Sequence, residues 1–288
     1  MIGEGTLILF IIVFVALLIG TYTDFKTREV PDWISYGMVL SGLGLRAVFS
    51  IINWEPWTFL HGLAGFSMFF LLALALFYAG QWGGGDAKVL MGLGALVGID
   101  LSVDTFLFGF LVNTIVFGSL IGLVFSIALA AKHKTRMAKK AQELYQKQRK
   151  QMYGFGAISL LALVLGIALP LVRVPLLIMA ALSIFTYYLL IFIRAVEQVC
   201  MIKDVEPERL TEGDWIVNDV IVGGKRICGP KDLGIEQKQI DQLITYKKKG
   251  KIKMITIKEG IPFVPSFLAG FVSMMIWGNL LFVFMNAL

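Results

Sequence analysis

Residues 5–23 read GTLILFIIVFVALLIGTYT, 19 positions without a charged side chain. As a helix this stretch is about 29 Å long, which matches the hydrocarbon thickness of a bilayer. Further candidate spans lie at about 33–53, 57–79, 87–99, 104–131, 154–172, 174–196 and 263–286. The sequence therefore predicts an all-α polytopic membrane protein with about eight transmembrane helices, of which the fourth is short.

The composition of the 288 residues supports this class. The chain is 57% hydrophobic and 16% charged, with a mean hydropathy of +0.78, whereas soluble domains are about 45–50% apolar and about 25% charged. A disordered chain, a coiled coil and a small disulfide scaffold are excluded. The two cysteines, Cys200 and Cys228, and the two histidines, His61 and His133, are isolated, so neither a metal site nor a cofactor is predicted.

The basic residues indicate how the chain lies in the membrane. Eight of the 26 Lys and Arg side chains fall within residues 132–150. With eight spans, every strongly basic loop lies on one side, the cytoplasm, and the acidic loop 99–104 lies on the other. Residues 132–153 are predicted to form a surface helix whose apolar side includes Met137 and Leu144, with anionic headgroups as partners at 132–150. Basic loops next to the membrane explain the net charge of +6 more simply than a nucleic-acid-binding function does.

A charged segment without a membrane span separates the last two candidate helices. Residues 198–261 are predicted to form a small cytoplasmic α+β insert, with strands at 214–222, 225–228 and 252–257 and a helix at 235–247. The predicted domain organisation is a membrane domain 1–131, a basic loop or helix 132–153, a helical hairpin 154–197, the insert 198–261 and a final helix 262–288.

Few ionisable residues lie at membrane depth, where they are costly and mark functional sites. Asp24 ends span one and Asp86 begins span four, so the loop charges alone place both at the cytoplasmic face. Two adjacent carboxylates share one proton, as an aspartic protease requires. The alternative is that they are unrelated helix-end residues, with Asp86 as a cap. Arg46 is expected to extend along its stem to the outer headgroups.

Three glycines, Gly83, Gly84 and Gly85, come directly before Asp86. They allow backbone angles that other residues resist, and they allow an extended peptide to approach closely. A P-loop is excluded because Asp86-Ala87-Lys88 follows where Lys-Ser/Thr is needed, and a dinucleotide fingerprint is excluded because no strand precedes the glycines.

Two stretches, DFKTREVPDW at 24–33 and GGGDAKVLMGLGA at 83–95, resemble the motifs that carry the catalytic pair in the GxGD membrane aspartic proteases. Among these, the archaeal prepilin and preflagellin peptidases are the most similar. Gly83, Gly85 and Asp86 fill the GxGD positions, and IPFVP at 261–265 resembles the start of the family's last helix. The resemblance covers residues 1–131 well and 261–288 moderately.

The resemblance implies that Asp24 and Asp86 are catalytic and that Gly83, Gly84 and Gly85 form an active-site loop. The implied substrates are type IV pilin-like or archaellin precursors with class III signal peptides, cut at the cytoplasmic face of the cell membrane. Glu29 and Asp32 lie nearby and either attract the basic leader or are solvated loop acids. Neither a cofactor nor a metal is implied, and a homo-oligomer is left open.

The chain departs from that family in two respects. It lacks the CxxC pair of bacterial relatives, so neither a zinc loop nor a methyltransferase site is indicated. Eight spans also exceed the six common in archaeal members.

Three other functions remain open at this point: a presenilin-like intramembrane protease, a transporter that uses the same aspartates, and a membrane scaffold. Asp24 follows a threonine at a helix end, whereas presenilin-like enzymes place their first aspartate in a Tyr-Asp pair within a helix. A transporter would place its acids near the midplane.

Overall fold

The computed structural model describes residues 4–99 and 106–287. Its helices are α1 (Glu4–Thr27), α2 (Asp32–Ile52), α3 (Pro56–Tyr78), α4 (Gly84–Val97), α5 (Phe106–Lys132), α6 (Lys134–Lys147), α7 (Arg149–Ala168), α8 (Arg173–Val196), α9 (Gln237–Lys248), α10 (Val264–Trp277) and α11 (Leu280–Ala287). The strands are β1 (Ile202–Val205), β2 (Trp215–Ile216), β3 (Val220–Val222), β4 (Lys225–Cys228) and β5 (Ile255–Lys258).

The chain folds into two compact units. The first comprises the residues up to Leu123 together with Pro207–Lys253 and the segment from Gly260 onward. The second comprises Val124–Glu206 and Met254–Glu259. The first unit contains both sequence motifs and the final helices.

The all-α polytopic class is confirmed, but the number of spans differs from the sequence count. Within the described residues, six helical segments are long and apolar enough to cross a membrane: α1, α2, α3, α5, α7 and the segment Pro170–Met201 that contains α8. The pair α10 and α11, bent by 46°, makes a seventh if it is one span. The fourth predicted span, 87–99, corresponds to α4, whose 14 residues extend only about 21 Å, so it is not counted among these segments. The predicted loop 99–104 lies outside the described residues except for Ile99.

Helix α4 is short because it is enclosed by protein. Eight of its 14 residues are buried, and it packs against α1, α2 and α3. At the crossing with α3, Gly65 and Gly94 approach so closely that a Cβ on either would overlap the backbone of the other. A helix that neighbouring helices shield need not match the bilayer thickness, because lipid does not contact its ends.

The membrane core of the first unit joins α1, α4 and α10. Leu17, Leu90, Leu93 and Phe267 are fully buried there. Small residues at the helix crossings and apolar side chains between them are typical of membrane bundles. This packing fixes the ends of α1, α4 and α10 relative to one another.

An asparagine forms hydrogen bonds with the backbone groups at the break between α10 and α11. Gly278 has φ of 73° and ends the hydrogen-bond ladder of α10. The Asn113 amide of α5 donates to the Gly278 carbonyl at 2.9 Å and to Ser273 Oγ at 3.0 Å, and its Oδ1 accepts from the Leu280 amide at 3.0 Å. Backbone groups opened by a helix break at membrane depth need such partners.

In the second unit, α6 is not the lipid-facing helix predicted for residues 132–153. Its apolar residues Met137 and Leu144 are buried in a core with Tyr187 and Ile191 of α8. The apolar side of α6 therefore packs against protein, and contact of its basic side with anionic headgroups stays a prediction. The basic side of α6 remains exposed.

The polar segment forms the predicted α+β structure with shifted bounds. The predicted strand 214–222 is two short strands, β2 and β3, and β3 pairs with β4 across Gly223 and Gly224, whose φ angles of 61° and 81° suit a type I′ turn. Strand β1, not predicted, pairs antiparallel with β5. Helix α9 begins two residues later than predicted, with a capping box between Glu236 and Gln239.

Candidate active site

Asp24 lies in the last turn of α1, and only 6% of it is exposed. Its Oδ2 accepts a hydrogen bond from the Val264 amide at 3.0 Å, and the Phe263 amide also donates to the carboxylate. These amides begin α10, so Asp24 lies at a helix N-terminus, where the backbone dipoles favour a negative charge. The cationic Arg28 is also close to it. The sequence placed Asp24 at the end of span one but gave no sign of its bond to the last helix.

Asp86 lies in the first turn of α4 and is partly buried. Its carboxylate accepts from the Gly83 amide, and the charge of Asp24 is near enough to repel it. The packing of α1 on α4 thus brings together two acids that are 62 positions apart in the sequence. Two carboxyl groups in this arrangement can hold one proton between them, with one as base and the other as acid.

Val30 fills the space between the elements that carry the two acids. It is buried, and its amide and side chain lie 3.6–3.8 Å from the position of a Cβ on Gly85. On its other side, a Cβ on Gly20 would lie 4.0 Å from Val30 Cγ1 and 3.3 Å from Val264 Cγ1. Val30 therefore spaces the ends of α1 and α4, a role that no sequence pattern indicated.

The structure does not use the conformational freedom that Gly83, Gly84 and Gly85 allow. Gly83 has φ of −70° and ψ of 162°, which any residue can adopt, and Gly84 and Gly85 are helical. A Cβ on any of the three would make ordinary contacts at 3.6–3.9 Å. What the glycines provide here is a first turn without side chains beside Asp86.

Lys88 connects the second motif to the first. Its Nζ pairs with Asp32 Oδ1 at 2.5 Å and lies 5.7 Å from the centre of the Tyr36 ring. The negative charge of Asp32 is thus balanced within the protein. Glu29 is exposed and remains the predicted leader contact that faces solvent. Lys88 belongs to the second sequence motif, but the sequence indicated no role for it.

Trp82 forms an aromatic wall beside the loop that precedes Asp86. Its ring lies 5.1 Å from Phe263 and 5.4 Å from Phe267, which places the start of α10 against the second motif. Sequence reasoning missed Trp82, although its position directly before the glycines was a signal.

Arg46 does not reach outward along its stem as predicted. It is 9% exposed, and its guanidinium donates to the carbonyls of Leu96 and Val97, at the C-terminal end of α4, and to that of Thr58. A cation at this end of a helix complements the dipole and the open carbonyls. Arg46 therefore fixes the helix that carries Asp86 from its far end.

Within the described residues, no group of three or more His, Cys, Asp or Glu side chains is placed to hold a metal ion. The acids that the site brings together are Asp24 and Asp86. Such a pair can activate water and polarise a carbonyl.

Comparison with known proteins places these motifs in a family. Residues 11–127, which include Asp24 and Asp86, match the type IV leader peptidase family. The chain is 38% identical over 88 residues to a preflagellin peptidase of Methanocaldococcus jannaschii, which covers 31% of this chain and 37% of that protein. A preflagellin peptidase of Methanococcus maripaludis is 38% identical over 89 residues, which covers 31% of this chain and 38% of that protein. A preflagellin peptidase of Methanococcus voltae is 36% identical over 81 residues, which covers 28% of this chain and 34% of that protein.

The aligned parts thus span little more than a third of each relative's length. No solved structure is significantly similar to the chain. The resemblance inferred from the two motifs is confirmed, since residues 11–127 match the type IV leader peptidase family.

Proposed function

We propose that this protein is a membrane aspartic endopeptidase that removes the short basic leader from preflagellin or type IV pilin-like precursors. The observation that carries the proposal is the approach of Asp24 and Asp86 at the adjoining ends of α1 and α4. Both acids lie within the segment that matches the leader peptidase family.

In the proposed reaction Asp24 is the base and Asp86 the acid. Asp24 accepts two amide hydrogen bonds from the start of α10, which suits a carboxylate that carries charge. It takes a proton from water as the oxygen attacks the scissile carbonyl carbon, while protonated Asp86 donates to the carbonyl oxygen. The tetrahedral intermediate then collapses: one hydroxyl returns its proton to Asp86 as the carbonyl re-forms, the C–N bond breaks, and the amine leaves with a proton from Asp24. One water is consumed, and the products are an acid and an amine.

The substrate would approach from the cytoplasmic face, where the loop charges place both helix ends. Its basic leader would lie over exposed Glu29, and its apolar segment would remain in the bilayer. The side-chain-free turn at Gly83–Gly85 leaves room for an extended peptide beside Asp86. Because Asp32 already pairs with Lys88, Glu29 is the stronger candidate for attracting the leader.

Co-expression with a tagged preflagellin or type IV pilin precursor tests this function. We expect conversion to the mature form with wild type and none with Asp24→Asn or Asp86→Asn, because the two acids act as one unit. Glu143→Gln, an exposed carboxylate on α6, is the matched control and should cleave normally. Substantial cleavage by either aspartate variant, with the protein correctly inserted, would refute the dyad.

The same experiment addresses the alternative functions. A scaffold would tolerate Asp24→Asn, and a transporter would lose flux with no proteolytic defect. A presenilin-like enzyme would cut within the apolar segment, so mass measurement of the product distinguishes it from a leader peptidase.

A further inference from the structure

A cavity of about 430 Å³ lies between α7 and α8, within the second compact unit. Its walls are largely aromatic and aliphatic, and they include Tyr153, Phe155, Leu160, Ile184, Tyr187 and Tyr188. Along α7 the lining residues run from Met152 to Leu160, about 12 Å of helix. The size falls within the range of small-molecule sites.

The cavity opens on the outer surface of the helix pair. Tyr153, Leu160 and Tyr188 are all more than half exposed. For a hairpin of two membrane-spanning helices, that surface faces lipid. A lipid molecule can therefore enter the cavity from the side.

Tyr187 supplies an unsatisfied polar group to this apolar wall. The residue is 2% exposed, and its hydroxyl has no hydrogen-bond partner among the residues that the structure describes. Nearby Ser183, by contrast, donates to the Phe155 carbonyl at 2.9 Å. Buried hydroxyl groups nearly always have a partner, and an oxygen atom of a ligand at this depth would supply one to Tyr187.

Positive charge surrounds one end of the cavity. Arg149 and Lys150 begin α7 directly before the lining residues, and Arg194 lies near the end of α8, where it bonds Gln151 at 3.4 Å. The sequence has no Asp or Glu from Leu144 to Val196, and the acids on either side of this range, Glu143 and Glu197, pair with Lys140 and Lys258. A phosphate at this end would meet cations with no acid on either helix to oppose it.

From these features we infer that the α7–α8 cavity binds an anionic glycerophospholipid. Its acyl chain lies along the aromatic wall, an oxygen of its glycerol region meets the Tyr187 hydroxyl, and its phosphate lies between the start of α7 and Arg194. The site is separate from the proposed proteolysis and does not depend on it.

The test uses the full-length protein in micelles, titrated with phosphatidylglycerol or phosphatidylcholine. Native mass spectrometry counts the bound lipid, and thermal unfolding reports stabilisation. We expect retained phosphatidylglycerol and a stabilisation that phosphatidylcholine does not give. Tyr187→Phe, which keeps the ring, should weaken phosphatidylglycerol binding about three- to tenfold, the effect of one hydrogen bond. Replacing Arg149, Lys150 and Arg194 by Gln should remove the preference for the anionic lipid.

Tyr78→Phe is the matched control, since Tyr78 is exposed on α3 in the other unit, and it should bind phosphatidylglycerol like wild type. Equal binding of both lipids by wild type would overturn the proposal. So would unchanged affinity in Tyr187→Phe, or displacement of the lipid by a peptide with the apolar segment of a preflagellin. Size-exclusion profiles and unfolding curves without added lipid confirm that each variant is folded.

Discussion

Replacing Arg46 by Met should destabilise the first unit by about 2–4 kcal/mol and release the far end of α4. The guanidinium donates to Leu96 O at 2.9 and 3.3 Å, to Val97 O at 2.5 Å and to Thr58 O at 3.2 Å. It lies against Gly98, where a Cβ would be only 2.7 Å from Nη2.

The magnitude follows from the carbonyls that the substitution would leave open. Each buried polar group that loses its partner costs about 1–3 kcal/mol, and the last carbonyls of α4 have no partner in their own helix. Two such groups give about 2–6 kcal/mol. The lower part of that range is expected because removing a buried cation also removes its desolvation cost. The methionine side chain, similar in length, limits any cavity.

Thermal unfolding of purified protein in one detergent measures the effect. Arg173→Met is the matched control, because its Nε makes only a long bond of 3.4 Å to Gly166 O and its side chain is exposed, so a change below about 0.5 kcal/mol is expected. Arg46→Lys keeps the charge but loses the planar fork, so it should fall between the two. If Arg46→Met and Arg173→Met unfold alike, the reasoning is refuted.

Two further predictions concern the helix break and the insert. Asn113→Leu should destabilise the protein by about 2–4 kcal/mol in unfolding experiments, because the backbone groups at the Gly278 break lose their partners. The control Ser119→Ala removes only a hydrogen bond within its own helix and should cost less than about 0.5 kcal/mol. The pKa of Cys228 is raised to about 11, mainly by burial and secondly by the negative charge of Asp232. At pH 8 about one thiol in 1,000 is therefore ionised. Alkylation of folded protein should be over 100-fold slower at Cys228 than in Lys225→Cys, and comparable rates would contradict this.

The spans and the two acids could be predicted from the sequence because their signals are local. About 20 apolar residues suffice to identify a membrane helix, and Lys and Arg in short loops indicate its direction. Those rules placed Asp24 and Asp86 at one face before any motif was compared. Arg46 and the apolar side of α6 were misjudged for one reason: each has a protein partner far along the chain where the sequence suggested lipid.

The sequence by itself determined that this is a polytopic helical protein with one carboxylate at the end of its first helix and another at the start of its fourth. Only the tertiary structure decided that the short α4 is enclosed by other helices, since the fit of Gly94 against Gly65 depends on the crossing of α3 and α4. It also decided that the amides at the start of α10 hold Asp24, 240 positions away. Hydropathy is a sum over neighbours in the chain, whereas hydrogen bonds and close packing depend on which distant groups meet in space.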